Sequence, residues 1–230
     1  YFSLVGLLMG LALMLVELGA SKMFPAPLTA ALLVVLLLLL TRGLHIDGLM
    51  DVCDGLFGGA TPERRMEIMR DSRVGAFAVA GAAGVLLLKY GALVSLTSLA
   101  SPGKEMALLL FPAISRWTMV AALAAFPYVR SHGLGSPFHQ GNVFPATALA
   151  ALVTTLIAVL FGGVAAAGIL IGATLLAWVL GIGIYKMLGG LTGDTYGAIN
   201  ELVEVATLAA AVAVIPHGWL EPLPRSFGWI

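Results

Sequence analysis

Seven long apolar stretches divide the chain, and almost nothing charged interrupts them. They cover residues 4–18, 28–40, 74–99, 106–126, 143–161, 164–188 and 199–215. Several approach the length of about 20 residues at which a helix crosses a bilayer core. A backbone in hydrocarbon must satisfy its own hydrogen bonds, so stretches of this kind fold as helices. The second is short by itself. Pro25 and Pro27 mark its start, and with no proline before Asp51 it is expected to continue as helix through Arg42. Gly162 and Gly163 predict a tight turn between the fifth and sixth stretches. The expected fold is all-α, a polytopic transmembrane helix bundle of about seven spans forming a single domain over residues 1–230.

Composition closes the other routes. Hydrophobic residues make up 60% of the chain and charged residues 10%, where soluble domains carry roughly a quarter charged. Too few charges remain for the polar shell of a soluble enzyme or for a disordered chain. Twelve bases balance twelve acids, which leaves no field to attract a polyanion, so nucleic acid is excluded and the lipid bilayer is the expected surroundings. The single cysteine, Cys53, excludes a disulfide framework and a multi-cysteine metal site; it reads as a small packing residue. The first apolar stretch has no basic leader, so no signal peptide is expected. Gly6 and Gly10 form a GxxxG spacing that reads as helix packing.

The charges that do occur are concentrated. Between Asp47 and Arg73 lie six of the acids and four of the bases. Seven spans place the segments 41–73, 127–142 and 189–197 on one face. They carry Arg42, Arg64, Arg65, Arg70, Arg73 and Arg130, with Lys186 at a border, whereas Lys22, Lys104 and Arg225 fall on the other face. By the positive-inside rule the first face is cytoplasmic. Trp219 and Trp229 suit an interfacial belt.

Three groups of residues on that face carry chemistry. In the first, Asp47, Asp51 and Asp54 stand at i, i+4 and i+7, so a helix would put them on one stripe about 6 Å apart. Two such carboxylates repel by about 3 kcal/mol at an effective dielectric near 20. Three in a row protonate, splay apart or hold a cation, and oxygen-only ligands favour Mg²⁺, Mn²⁺ or Ca²⁺. Gly48 and Gly55 leave room for a ligand beside them. In the second, Thr61 and Pro62 open a helix on which Glu63, Glu67 and Asp71 recur every four residues, with Arg64, Arg65, Arg70 and Arg73 on other faces. An amphipathic surface helix explains Glu63 and Arg65. A cation site beside several arginines suits phosphate chemistry. In the third, Asp194 and Thr195 are candidate caps of the last helix, and Glu201 and Glu204 follow inside apolar sequence. Acids at that depth should face a polar cavity or a partner.

Isolated signals complete the sequence. Arg116 stands alone in an apolar span, with Glu17 as a structural partner or a phosphate as a functional one. Lys89 is expected to snorkel. Residues 129–135 read as a polar lid, with His132 and His139 as surface histidines.

The order His45-x-Asp47-Gly48-x-x-Asp51-x-x-Asp54-Gly55, then Glu63-Arg64-Arg65-x-x-Ile68-Met69-x-Asp71-Ser72-Arg73-x-Gly75, then Gly190-Leu191-Thr192-Gly193-Asp194-x-x-Gly197-Ala198 resembles the cobalamin synthases, also called adenosylcobinamide-GDP ribazoletransferases. The resemblance covers the whole chain. It departs at Ser3, where proline is usual, and at Met50 and Cys53, where alanines are frequent. Family members also carry a further N-terminal segment.

The resemblance implies a Mg²⁺-dependent transferase of cobalamin biosynthesis. It would join α-ribazole, or its 5′-phosphate, to adenosylcobinamide-GDP and release GMP, at the cytoplasmic face of a prokaryotic cytoplasmic membrane. It implies that Asp47, Asp51, Asp54 and Glu67 hold the metal. From their positions in this sequence, Asp71 and Asp54 are expected to be catalytic, Asp71 as the proton acceptor, and His45, Arg64, Arg73, Arg116, Asp194 and Glu201 are expected to contact substrate. A homo-oligomer is left open. Two rivals are a CDP-alcohol phosphotransferase acting on lipid and an ion-coupled transporter; the latter would hold its site near the bilayer midplane.

Overall fold

The computed structural model describes residues 1–129 and 143–220. The expected lid over 129–135, with Arg130, His132 and His139, falls almost wholly outside them, as do Arg225 and Trp229. The described helices are α1 (Phe2–Ala20), α2 (Ala26–Thr41), α3 (Leu44–Gly58), α4 (Pro62–Ile68), α5 (Ala76–Thr97), α6 (Gly103–Ala125), α7 (Phe144–Leu188) and α8 (Gly193–Val214). A 3-10 turn, Ile215–His217, extends α8. The all-α bundle is as expected. Helices α1, α5, α6, α7 and α8 are each long and apolar enough to cross a membrane, and α2 with α3 passes the same test as a bent pair.

At its 45 residues, α7 would be about 68 Å long if straight, twice a bilayer core of about 30 Å. It is not straight. Gly163 breaks it with φ 62° and ψ −151°, a backbone state open to glycine and closed to most side chains. The neighbours of α6 show what the break does. Leu110, near the start of α6, faces Gly162. Trp117 donates from Nε1 to Thr174. Phe126, at its end, covers Gly181. The half of α7 after Gly163 therefore runs beside α6 in the same direction, and the half before it returns from the other end. The predicted turn is present, and among the described residues the apolar passes number seven when α2 with α3 is taken as one and each half of α7 is counted.

The second stretch departs from expectation. The helix ends at Thr41 and restarts at Leu44, bent by 88°. Arg42 (φ 53°) and Gly43 (φ 72°) are both left-handed. The amide of Gly43 donates to Leu38 O and that of Arg42 to Leu39 O, the bond pattern of a Schellman cap. Helix α2, about 24 Å long, thus ends at the bend, and α3 turns away from its axis.

Helix α6 is the most buried of the bundle and packs most extensively on α1. Gly6 meets the backbone of Pro112 and Ala113, and Gly10 that of Leu109, so closely that a Cβ at either would overlap it. The GxxxG spacing is packing, as read. Glu17, fully buried, pairs with Lys104 at 2.9 Å at the far end of the same helix pair.

Candidate active site at one end of the bundle

The segments predicted to share a face meet there. Pro127 O accepts from the amide of Leu191 at 2.8 Å, and Leu191 O from the amide of Val129 at 2.9 Å. Arg65 donates from Nε to Gly59 O at 2.9 Å and from Nη1 to Met187 O at 3.0 Å. It satisfies a carbonyl in the last turn of α7 that the helix itself leaves open.

Helix α3 lies against the start of α8. A Cβ on Gly48 would come within 2.7 Å of Asp194 O, and one on Gly197 within 3.1 Å of His45 Cα. Two glycines, one on each helix, allow this crossing, and it brings the first and third motifs together. Helix α8 is capped by Thr192, whose hydroxyl accepts from the Thr195 amide at 3.3 Å while Thr195 Oγ1 accepts from the Thr192 amide at 2.8 Å. Asp194 is not the cap. It stands in the first turn, beside Gly48. The ring of Tyr196 stacks on Tyr128 at 6.4 Å.

The aspartate stripe is divided. Asp47 is exposed, and its carboxylate makes no hydrogen bond or ion pair among the described residues. Asp51 is half-buried one turn further on. Asp54 turns to the next helix, where Oδ2 accepts from the amide of Gly75 at 2.6 Å and Oδ1 from that of Ala78 at 2.8 Å. Its carboxylate caps α5, satisfying amides the helix cannot satisfy itself. Among the described residues, no three His, Cys, Asp or Glu side chains converge as a metal cage.

Helix α4 opens as predicted, with Thr61 Oγ1 accepting from the Arg64 amide and Pro62 at the first position. Arg64 pairs with Glu67 at 2.6 Å, both exposed. Beyond α4, Arg73 donates from Nε to Asp71 Oδ1 at 3.0 Å, and this guanidinium holds the Asp71 carboxyl down at about 2. An open cleft of about 450 Å³ lies beside α4, lined by Glu63, Met66, Glu67, Arg70, Val129 and Leu188.

Arg116 and Glu201 stand apart from these groups. Arg116, 3% exposed, pairs with Glu204, not with Glu17. Lys89 does not snorkel. It is 2% exposed and donates to Glu201 at 2.7 Å and Glu204 at 2.6 Å. Two cations from α5 and α6 thus balance two anions on α8. Asn200 continues this network outward, with Nδ2 3.2 Å from Glu204 Oε1 and 3.0 Å from His45 Nδ1. Asn200 and Lys89 were not picked out from sequence as site elements. The available signal was spacing, since Asn200 precedes Glu204 by one helical turn.

A model of the family described as Cobalamin-5-phosphate synthase matches residues 1–212. The chain belongs to the cobalamin-5-phosphate synthase family. Curated relatives agree. The adenosylcobinamide-GDP ribazoletransferase of Desulfitobacterium hafniense (strain Y51) is 41% identical over 220 residues, which is 94% of this chain and 85% of the relative. The protein of the same name from Syntrophobacter fumaroxidans is 40% identical over 222 residues, 93% of this chain and 86% of that one. That from Pseudomonas putida (strain GB-1) is 41% identical over 212 residues, 90% and 84%. No solved structure matches. As a cobalamin-5-phosphate synthase family member the chain is an enzyme, and the transporter and lipid phosphotransferase readings fall away.

Proposed function

We propose that this enzyme joins α-ribazole, or its 5′-phosphate, to adenosylcobinamide-GDP and releases GMP. The ribazole hydroxyl attacks the phosphorus attached to cobinamide, a new P–O bond forms, the bond to GMP breaks, and the hydroxyl proton passes to a carboxylate. The observation that carries this reading is the α3–α8 crossing, where Gly48 meets Asp194 and Gly197 meets His45 in a chain about 40% identical to ribazoletransferases over most of its length. We place this end at the cytoplasmic face of a prokaryotic cytoplasmic membrane, on the arginine bias of its segments.

Mg²⁺ is commonly held by one or two carboxylates with substrate phosphates supplying the remaining oxygens. Asp47 and Asp51, one turn apart on α3, would supply those carboxylates, so a three-carboxylate cage is unnecessary; Glu67, paired with Arg64 on α4, would join only by leaving that partner. Asp54 would join only by sharing oxygens already bonded to amides. A metal held there would supply charge neutralisation for the diphosphate and for the leaving GMP. Arg73 and Arg64 are the phosphate ligands at the mouth. A phosphate that draws Arg73 away releases Asp71, and its basicity rises toward that of an ordinary carboxylate. Asp194 lines the site beside α3, while Arg116 and Glu201 support it from within the bundle. Release of GMP from adenosylcobinamide-GDP, with and without α-ribazole, tests the reading. Release that requires α-ribazole supports it, and no release in the presence of both substrates and Mg²⁺ overturns it.

A further inference from the structure

Glu204 fixes the orientation of every group between it and His45. Its Oε2 accepts from Lys89 Nζ at 2.6 Å, and its Oε1 accepts from Arg116 Nη1. A carboxylate occupied on both oxygens by cationic donors has no hydrogen to offer. The Asn200 amide atom that lies 3.2 Å from Oε1 must therefore be a donor. Which way an amide points is otherwise a matter of assignment; here the carboxylate decides that the atom is nitrogen. The choice leaves the buried Asn200 Oδ1 without a hydrogen bond among the described residues, so the nitrogen's contacts alone hold the amide.

The same Nδ2 lies 3.0 Å from His45 Nδ1. An amide nitrogen carries two hydrogens, one for each neighbour, and accepts none. His45 Nδ1 is consequently the acceptor. The other bond of an imidazole fixes its tautomer, so the proton of neutral His45 sits on Nε2. That atom makes no hydrogen bond to any described residue. It belongs to a half-buried ring packed at the α3–α8 crossing, two residues before Asp47.

We propose that Asn200 is a positioning residue that locks His45 as a neutral Nε2–H donor to an anionic phosphate oxygen of the substrate. It rests on the proposed function for the identity of the anion, and on the hydrogen bonds alone for the tautomer. His45 cannot then serve as the base. Its Nδ1 lone pair is taken by Asn200, and its Nε2 already carries a hydrogen. A neutral donor held in a fixed direction suits charge that develops on a phosphate oxygen, because nothing has to reorient as the charge grows. The proton acceptor must come from elsewhere, and Asp71, in the loop between α4 and α5, remains for that.

The test is spectroscopic and kinetic. The protein is labelled with ¹⁵N-histidine and placed in nanodiscs, and the His45 signals are identified by their loss in His45→Gln. The expected spectrum at neutral pH shows an unprotonated Nδ1 and a protonated Nε2. In Asn200→Asp the new carboxylate accepts, and the proton moves to Nδ1. A wild-type His45 protonated on Nδ1, or on both nitrogens, overturns the proposal whether or not the protein turns over.

The kinetic arm uses GMP release. His45→Gln retains a side-chain donor and keeps much of kcat, whereas His45→Ala lowers it by about 10²-fold, the usual loss for one donor to developing charge. Asn200→Asp lowers kcat more than it raises KM, and in the His45→Gln background it brings no further loss. A full additional loss in that double variant would assign Asn200 to packing and overturn the proposal. If the wild type forms no GMP from both substrates, the proposed function fails, and the wild-type spectrum still decides the tautomer.

Discussion

The Lys89 ammonium lies 2.6 Å from the Glu204 carboxylate, with both side chains 2% exposed. Glu201 and Arg116 complete the group. Ions taken this far from water are held by each other, and removing one partner strands the rest at a cost of about 3–5 kcal/mol. Lys89→Met should therefore lower the midpoint of thermal unfolding in detergent far more than an exposed change such as Arg64→Met. Equal midpoints would show that the network carries no stability.

Asp54 and Asp47 should separate by phenotype, although the sequence makes them equivalent. Asp54 caps α5 through two amides, one on each oxygen, so Asp54→Asn, which can accept from only one of them, should cost about 1 kcal/mol of stability along with activity. The Asp47 carboxylate is exposed with no partner among the described residues. Asp47→Asn should leave the unfolding midpoint unchanged and raise the Mg²⁺ concentration needed for half-maximal GMP release. Paired denaturation curves and Mg²⁺ titrations decide the matter.

Thr192 and Asp194 form a second contrast. The cap is Thr192, and Thr192→Ala should destabilise by about 1 kcal/mol. Asp194→Ser should leave the unfolding midpoint in place and reduce turnover. Full activity in Asp194→Ser would remove that residue from the site.

The Asp71–Arg73 pair gives a pH signature. The carboxyl sits at about 2 against an ordinary 3.8, so in the free enzyme Asp71 is ionised throughout the range above pH 4. Any stability it lends is present above that ordinary value and is lost as pH falls through about 2. If substrate draws Arg73 away, the carboxyl rises in the complex alone. An acid limb should then appear in kcat, which reports the complex, while kcat/KM, which reports the free enzyme, stays flat between pH 4 and 7 with respect to Asp71. Acid limbs that coincide in the two profiles would count against Asp71 as the proton acceptor.

Much of this architecture could be read from the residues. Apolar length located the spans, the Gly162-Gly163 pair located the turn in α7, and Thr61-Pro62 located the start of α4. The convergence of three segments on one face followed from counting passes. The bend after α2 could not be read, because its left-handed residue is Arg42, and a non-glycine residue gives no sign of that state, which costs about 1–2 kcal/mol in isolation. The partner of Arg116 was missed because Glu204 is 88 residues away and only packing selects it over Glu17. The stripe of aspartates was seen, but that one of them serves another helix depends on where α5 begins in space.

Gly163 lies at the end of the bundle away from the aspartates, yet it sets the parity of everything that follows. A straight path through that residue would deliver residues 189–193 to the opposite face of the membrane. Asp194 would then be a bilayer's width from Gly48, and Asn200 could not reach His45. A left-handed glycine with no chemical part in the reaction thus determines whether the last motif and the first ever share a compartment.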